Sequence, residues 1–443
     1  MDLAGQARES SQPLEEILPE GEFLLLLEKT AAPLLRLAAS LAGLAPPDWP
    51  KKACVALVQE TNELESFLDD HGARNNRRFS FFTELIASMR WFGLAGHALH
   101  HLQTRFSGYG VAKDERERET FLAGLRACRA FVSGSTLDLL RALQGEARAL
   151  GLRLPADRLD LSQIPEAAIR RRLPRNVDEA SELVDEAQKI AEVASKYLRA
   201  ADLLKSLDLR PLGDPEALRR FVERHCNEEK ARVYEATIHN IQSKYDTHIK
   251  STALEAKDDR LPRLRGHVSV ALHLLEIVTH LVHFYERHEN DIRSESAKAR
   301  IAALVDKNAV LRQAVDFALT SAARFLERGR PYADGVLPHY TKIRTLETTL
   351  PVGVYLHARP ASLIVSIVNH YGTPVEMEIE GNRCNAGSIL QVMILAGSHA
   401  DARRVRFEGD EKPLQDIRRL FEARLGEGGL DDLPRELDYL RGR

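Results

Sequence analysis

The chain is poor in cysteine, in aromatic side chains and in long apolar runs. Its four cysteines, Cys54, Cys128, Cys226 and Cys384, form no C-x-x-C pair and no regular framework. That spacing excludes a disulfide scaffold or a paired-cysteine metal site and predicts reduced, mostly buried thiols in a cytosol. The most conspicuous apolar run, "FLLLL" at 23–27, falls far short of the roughly 20 residues that a bilayer-crossing helix needs, so no membrane span is expected. The N-terminus, "MDLAGQARESSQPLEE", has no basic stretch followed by an apolar core, so no signal peptide is expected. Neither sign of charge dominates: 62 Lys and Arg stand against 65 Asp and Glu, a net charge of −3. Nothing therefore draws the whole chain toward nucleic acid. No phosphate-cradling glycine loop, nucleophile elbow or H-E-x-x-H is found. The expectation is a soluble cytoplasmic protein with no ATP site and no cofactor of its own.

What is present is folded protein in quantity. Hydrophobic residues make up 44% and charged residues 29% of 443 residues, enough for two or three domains. From 13 to about 329, apolar residues recur every three or four positions and Ala, Leu, Glu and Arg dominate, the pattern of successive amphipathic helices. The spacing predicts helices over 20–44 (with Pro33 a kink or break), to His71, and over 77–106, 112–150, 178–206, 214–251, 264–289 and 293–328. No fixed-period repeat is found, so helix bundles are expected rather than a solenoid. The expected organisation is a first bundle over 1–150, a linker or irregular segment over 151–177, a second bundle over 178–328, a linker over 329–345, a smaller domain over 346–427 and a C-terminal tail over 428–443.

The smaller domain has a different texture. "PVEMEIE" (374–380) puts Val375, Met377 and Ile379 on one face and glutamates on the other, a half-buried strand. "ARRVRFEGD" (402–410) offers another. Short helical runs fall at 360–370, 388–396 and 413–425. The order strand, helix, strand, strand, helix, strand, helix predicts an α+β open-faced sandwich, its helices on one face of an antiparallel sheet.

Within it, "VYLHARPASLIV" places His357 just ahead of a helix whose first turn holds Pro360. Free backbone N–H groups and the positive dipole end gather at such a start, which makes it a ready anion site. The backbone of Ala358 and the guanidinium of Arg359 add phosphate-binding capacity. The positive helix end also disfavours a second positive charge on the ring, leaving a neutral nitrogen suited to accept a phosphoryl group. A polar cap at a strand-to-helix turn is the plainer reading of the same residues.

"LHARPAS" (356–362) and "GSILQVMILAG" (387–397) resemble the two signature segments of HPr, the histidine phosphocarrier of the bacterial phosphoenolpyruvate-dependent phosphotransferase system. The resemblance covers about 346–427 and implies that His357 is phosphorylated on Nδ1 with Arg359 as its phosphate partner. It implies a donor such as enzyme I and an acceptor protein domain. It also places Ser388 where a dedicated serine kinase acts in some relatives, and Ile389, Leu390 and Met393 on a partner-docking patch. A plain helix cap is the simpler reading of Ser388. Tyr355 stands where the family usually has Gly, Gly387 where it often has Lys, and Ser366 and Asn369 lie where lysines often steer acidic partners.

The helical region carries two eye-catching runs. Ser269, His273, Glu276, His280, His283 and Arg287 share one arc of the 264–289 helix. Glu276, His280 and His283 could ligate a metal inside a bundle, with His225, Glu229, Glu235 or His239 completing the shell. They also fit a narrow solvated face. The run at 75–102 mixes Arg, aromatic residues and His. It suits base stacking or, more simply, core aromatics alternating with exposed arginines. The triplet Arg170–Arg172 reads as a solvated loop. Three functions follow: a phosphocarrier with a regulatory or partner-binding helical region, an interaction protein that docks through its HPr-like domain without transfer, or a helical metal or ligand sensor.

Overall fold

The computed structural model describes residues 17–44, 49–157, 159, 183–287 and 295–441. Arg170–Arg172 and most of the expected 151–177 segment lie outside them. The elements run α1 (Glu20–Leu41), α2 (Lys51–Asp70), α3 (Ser80–Tyr109), α4 (Glu115–Leu150), α5 (Leu183–Lys205), α6 (Pro215–His225), α7 (Glu228–His248), α8 (Ala253–Lys257), α9 (Arg260–Glu286), α10 (Glu295–Leu304), α11 (Lys307–Leu311), a π-helical stretch Arg312–Leu319, and α12 (Thr320–Tyr340). Then follow β1 (Ile343–Thr349), α13 (Ala358–Tyr371), β2 (Val375–Ile379), β3 (Asn382–Asn385), α14 (Ile389–Ser398), β4 (Arg404–Asp410) and α15 (Glu411–Glu422).

The described residues of 1–97, 130–167 and 288–306 form one compact unit, and those of 98–129, 168–287 and 307–443 a second. The helical region is thus not two bundles in series, because α3 and α4 each contribute to both units. Helices this long carry no sequence mark where one core hands over to the next. In the first unit Phe23 stacks on Phe67 at 5.7 Å and meets Phe79 edge-on at 4.7 Å. Phe79, Phe81, Phe82, Trp91 and Phe92 are all buried, so the aromatic residues of the 75–102 run are core. Pro33 sits inside α1 without ending it.

In the second unit α9 is the central helix. By length and composition alone it could cross a membrane, an apolar stretch longer than "FLLLL" that sequence reading passed over; 78% of its apolar window is buried inside the protein. The expected 214–251 helix is interrupted at Cys226–Asn227, where the Asn227 side chain caps α7 by accepting the Lys230 N–H at 3.0 Å.

The expected linker over 329–345 is α12 and β1 instead. Gly329 serves close packing rather than turning: a Cβ there would lie 1.9 Å from the Tyr197 hydroxyl of α5, which donates to Leu326 O at 2.7 Å. Pro331 and Pro338 lie on the exposed side of α12, so each forfeits a helix hydrogen bond without disturbing the packed face. Cys128 and Cys226 are buried, Cys54 and Cys384 half-buried, and all four are free thiols. Burial pushes the Cys384 thiol up to about 11.

The C-terminal domain has the expected element order. Its four strands form one antiparallel sheet in the order β1-β4-β2-β3. Val375, Met377, Ile379, Val405 and Phe407 point inward against α13, α14 and α15. On the other face Arg383 and Arg406 bridge Glu376, Glu378 and Glu408. Glu380 and Gly381, at φ +49° and +83°, make the two-residue turn whose twist suits a tight hairpin. The stretch beyond 427 is not a loose tail: Leu433, Leu437 and Leu440 are buried in this core, and Tyr439 donates to Asp416 at 2.7 Å.

Candidate functional site

His357 occupies the N-cap of α13 with extended backbone. Strand-like alternation through the preceding loop turns Val354 and Leu356 inward, so Tyr355 and His357 face out. The loop is clamped by the Arg403 guanidinium, which donates to Leu350 O, Pro351 O and Val354 O at 2.8, 2.6 and 3.4 Å. Sequence reasoning missed Arg403. Its charge breaks no periodicity in "ARRVRF", and its three acceptors lie some fifty residues away.

The Arg359 backbone N–H points at His357 Nδ1, 3.4 Å away. Nδ1 therefore acts as an acceptor at the amide-rich helix mouth, which requires the ring proton to sit on Nε2. Pro360 is buried in the first turn and brings no N–H of its own. The Arg359 side chain is exposed and makes no ion pair among the described residues. The His357 side chain is 52% exposed.

A second residue was not legible from spacing. Glu427 Oε1 lies 2.8 Å from His357 Nε2. It arrives there through Arg424, Leu425 and Gly426, all left-handed at φ +53°, +58° and +73°. The two non-glycine residues cost roughly 1–2 kcal/mol each in that region. Electrostatically the ring is thus two-sided, with amides at Nδ1 and a carboxylate at Nε2.

On the neighbouring helix, Ser388 caps α14 by accepting the Gln391 N–H at 3.5 Å. Ile389 and Leu390 are 44% and 68% exposed. Met393 instead lies half-buried against the core, and Ile394 takes the exposed position at 60%. Val352 and Tyr355 are exposed too.

The histidines of α9 are arranged otherwise. Among the described residues no group of three or more His, Cys, Asp or Glu side chains is gathered as a metal would require. His273 Nδ1 lies 2.8 Å from Glu276 Oε2, and His283 Nδ1 lies 2.7 Å from Glu228 Oε1. Burial works against the Glu276 carboxylate, but His273, with His280 and His101 nearby, holds it below its usual range. Burial also pushes His283 down, against the pull of Glu228. Of the proposed shell-completing groups, His225, Glu229 and His239 are exposed; the carboxylate that meets the stripe is Glu228, one residue away.

An open-faced α/β sandwich that presents a histidine at a helix mouth defines a small carrier-type domain. The family described as the PTS HPr component phosphorylation site matches residues 344–423. Phosphocarrier protein HPr of Xylella fastidiosa strain Temecula1 / ATCC 700964 is 32% identical over 83 residues, covering 93% of that protein and 18% of this chain. The HPr of strain 9a5c is 34% identical over 74 residues, covering 83% of it and 16% of this chain. Through its C-terminal domain the chain belongs to the HPr family. The helical region lies outside the residues the family matches. No solved structure matches the chain.

Proposed function

We propose that the chain is a histidine phosphocarrier: His357 accepts a phosphoryl group on Nδ1 from a phosphotransferase-system donor, by family likeness enzyme I, and passes it to an acceptor protein. The single observation behind this reading is the half-exposed His357 ring with Nδ1 turned to the α13 amides. The Ala358 and Arg359 backbone and the exposed Arg359 guanidinium, which makes no ion pair among the described residues, are suited to the phosphate oxygens. Ile389 and Leu390 offer an apolar docking patch beside the site, to which we add Ile394 and in which Met393 has the smaller part. Ser388 is accessible enough for a serine kinase to act as it does in some relatives. The helical region then regulates transfer or binds a partner, and the domain boundaries follow the fold: helical elements to Tyr340, the carrier domain from Ile343 to the C-terminal turns. Incubation with phosphoenolpyruvate and enzyme I tests the reading. Acid-labile phosphate on the wild-type chain, absent from His357→Ala, is expected. A wild-type chain that stays unlabelled would overturn transfer and leave docking through the domain as the function.

A further inference from the structure

The aromatic residues at the start of the 75–102 run are core, but the arginines beside them serve no packing role. They gather at a cleft of about 700 Å³ within the first unit, where Arg74, Arg77, Arg78 and Arg300 face only two lining carboxylates, Glu146 and Glu295. The loop that carries the first three is pinned. Asn76 accepts the Arg78 N–H on Oδ1 at 2.8 Å, which leaves Arg77 and Arg78 exposed while Phe79 is buried. Two helices also begin at the cleft, α3 with Ser80 and Phe81 and α10 with Glu295 to Ala297, so two positive dipole ends share it. Protein carboxylates do not use these guanidiniums up. Arg77 is exposed and makes no ion pair among the described residues. Arg74 lies 3.4–3.9 Å from Asp69, Glu65 and Glu84, beyond the reach of a good hydrogen bond, and Glu65 gives its short contact, 2.5 Å, to Arg90. Arg78 reaches Glu20 and the Leu150 carbonyl at 3.3 Å each. Arg300 is firmly held: it meets Glu146 at 2.5 Å, and its guanidinium carbon lies 3.4 Å from the centre of the Phe81 ring. It is fixed and still half-exposed.

We propose that this cleft is a binding site for a small molecule carrying a chain of phosphates, held by Arg74, Arg77, Arg78 and Arg300. Its volume falls in the range of small-ligand sites, and a closed ring of four arginines is not the extended basic strip that a nucleic acid needs. Planar guanidinium forks take phosphate oxygens two at a time, so four of them are matched by several phosphate groups rather than by one. Guanidiniums already set in place lose little freedom when the anion arrives. Glu295 opposes the ligand and limits its affinity. Every residue of the site belongs to the first unit and the carrier domain to the second, so the inference stands apart from the carrier reading.

Calorimetric titration of the full chain with inorganic triphosphate tests the proposal. Saturable binding is expected, and Arg77→Ala should weaken it roughly tenfold. Arg77 makes no ion pair in the fold, so thermal melting should not change in that variant. Arg300→Ala would strip Glu146 of its partner; Arg300→Lys keeps the charge, loses the fork and should also weaken binding. Glu295→Gln removes the opposing charge and should tighten binding several-fold. Inorganic phosphate should bind more weakly than triphosphate, and equal affinity for the two would overturn the phosphate chain as the feature recognised. The absence of saturable heat with triphosphate, or wild-type affinity in both Arg77→Ala and Arg300→Lys, would overturn the site itself. So would loss of binding in Arg359→Ala alone, which would place the anion at the mouth of α13 instead.

Discussion

Two sets of histidines in this chain teach opposite lessons. Those on α9 are regularly spaced, and their arc looks like a ligand set. In the folded chain His273 and His283 are mostly buried and matched with carboxylates of the helical core. His267 is 3% exposed, and burial pushes it down to about 4. His357 has no periodic companions at all. It stands half-exposed where a strand-like loop becomes a helix, with one nitrogen at backbone amides and the other at Glu427. Spacing along a helix places side chains on a face, but the ends of elements decide what a side chain can do.

The largest effect that should separate the two sets is phosphoryl labelling. Loss from His357→Ala should be complete, whereas His280→Ala and His283→Ala should label as the wild type does. Metal analysis of the purified chain belongs with it: stoichiometric metal lost in His280→Ala would restore the ligand reading of α9 and break the contrast.

The next effect, in stability, belongs to the helical core. His267 is neutral in the folded chain well below its ordinary value of 6.5, because burial disfavours its charge. The unfolded chain therefore binds a proton that the folded chain refuses between pH 6.5 and about 4. Stability is complete above that window and falls as pH drops through it, by roughly 3 kcal/mol at most. Denaturation at pH 7 and at pH 4.5 should show a smaller acid loss in His267→Gln than in the wild type. Equal losses would mean that His267 is no more a core group than His357.

The contrast also explains what could be read from the residues alone. The carrier domain was legible because its signals are local: alternation in "PVEMEIE", a proline in the first turn after His357, a serine at the start of α14. Helix positions in the larger region were legible for the same reason. What failed was long-range. Gly329, Pro331 and Pro338 look like a linker, yet the glycine is there to admit Tyr197. Leu433, Leu437 and Leu440 look like a tail, yet they complete a core. Arg403 and Glu427 have partners tens of residues away in sequence, and no periodicity marks them. Met393 and Ile394 show the same limit at small scale, since one residue of phase on a short helix exchanges a buried side chain for an exposed one.

The smallest effect tests whether the site is independent of the helical core within the unit that holds both. Gly372 ends α13 at φ +70°, and a Cβ there would lie 2.5 Å from Glu192 Cγ on α5. Glu192 is buried and held by Lys196 and Lys244 at 2.7 and 2.6 Å, so it cannot simply swing aside. Arg199 and Gln188 of α5 donate to the carbonyls of Gly372 and Tyr371, closing the contact at the C-terminal end of α13. Gly372→Ala should therefore cost about 2 kcal/mol, from the left-handed backbone and the lost fit together. Glu192→Ala opens the space, so the two substitutions should cost less together than their sum. His357 stands at the other end of a 14-residue helix, roughly 21 Å away. Labelling by phosphoramidate, a small P–N donor that needs no docking protein, should thus be unchanged in Gly372→Ala even as denaturation shifts. A labelling rate that fell with the stability would mean that α5 reaches the site through α13, and that the helical region governs the carrier histidine by direct contact.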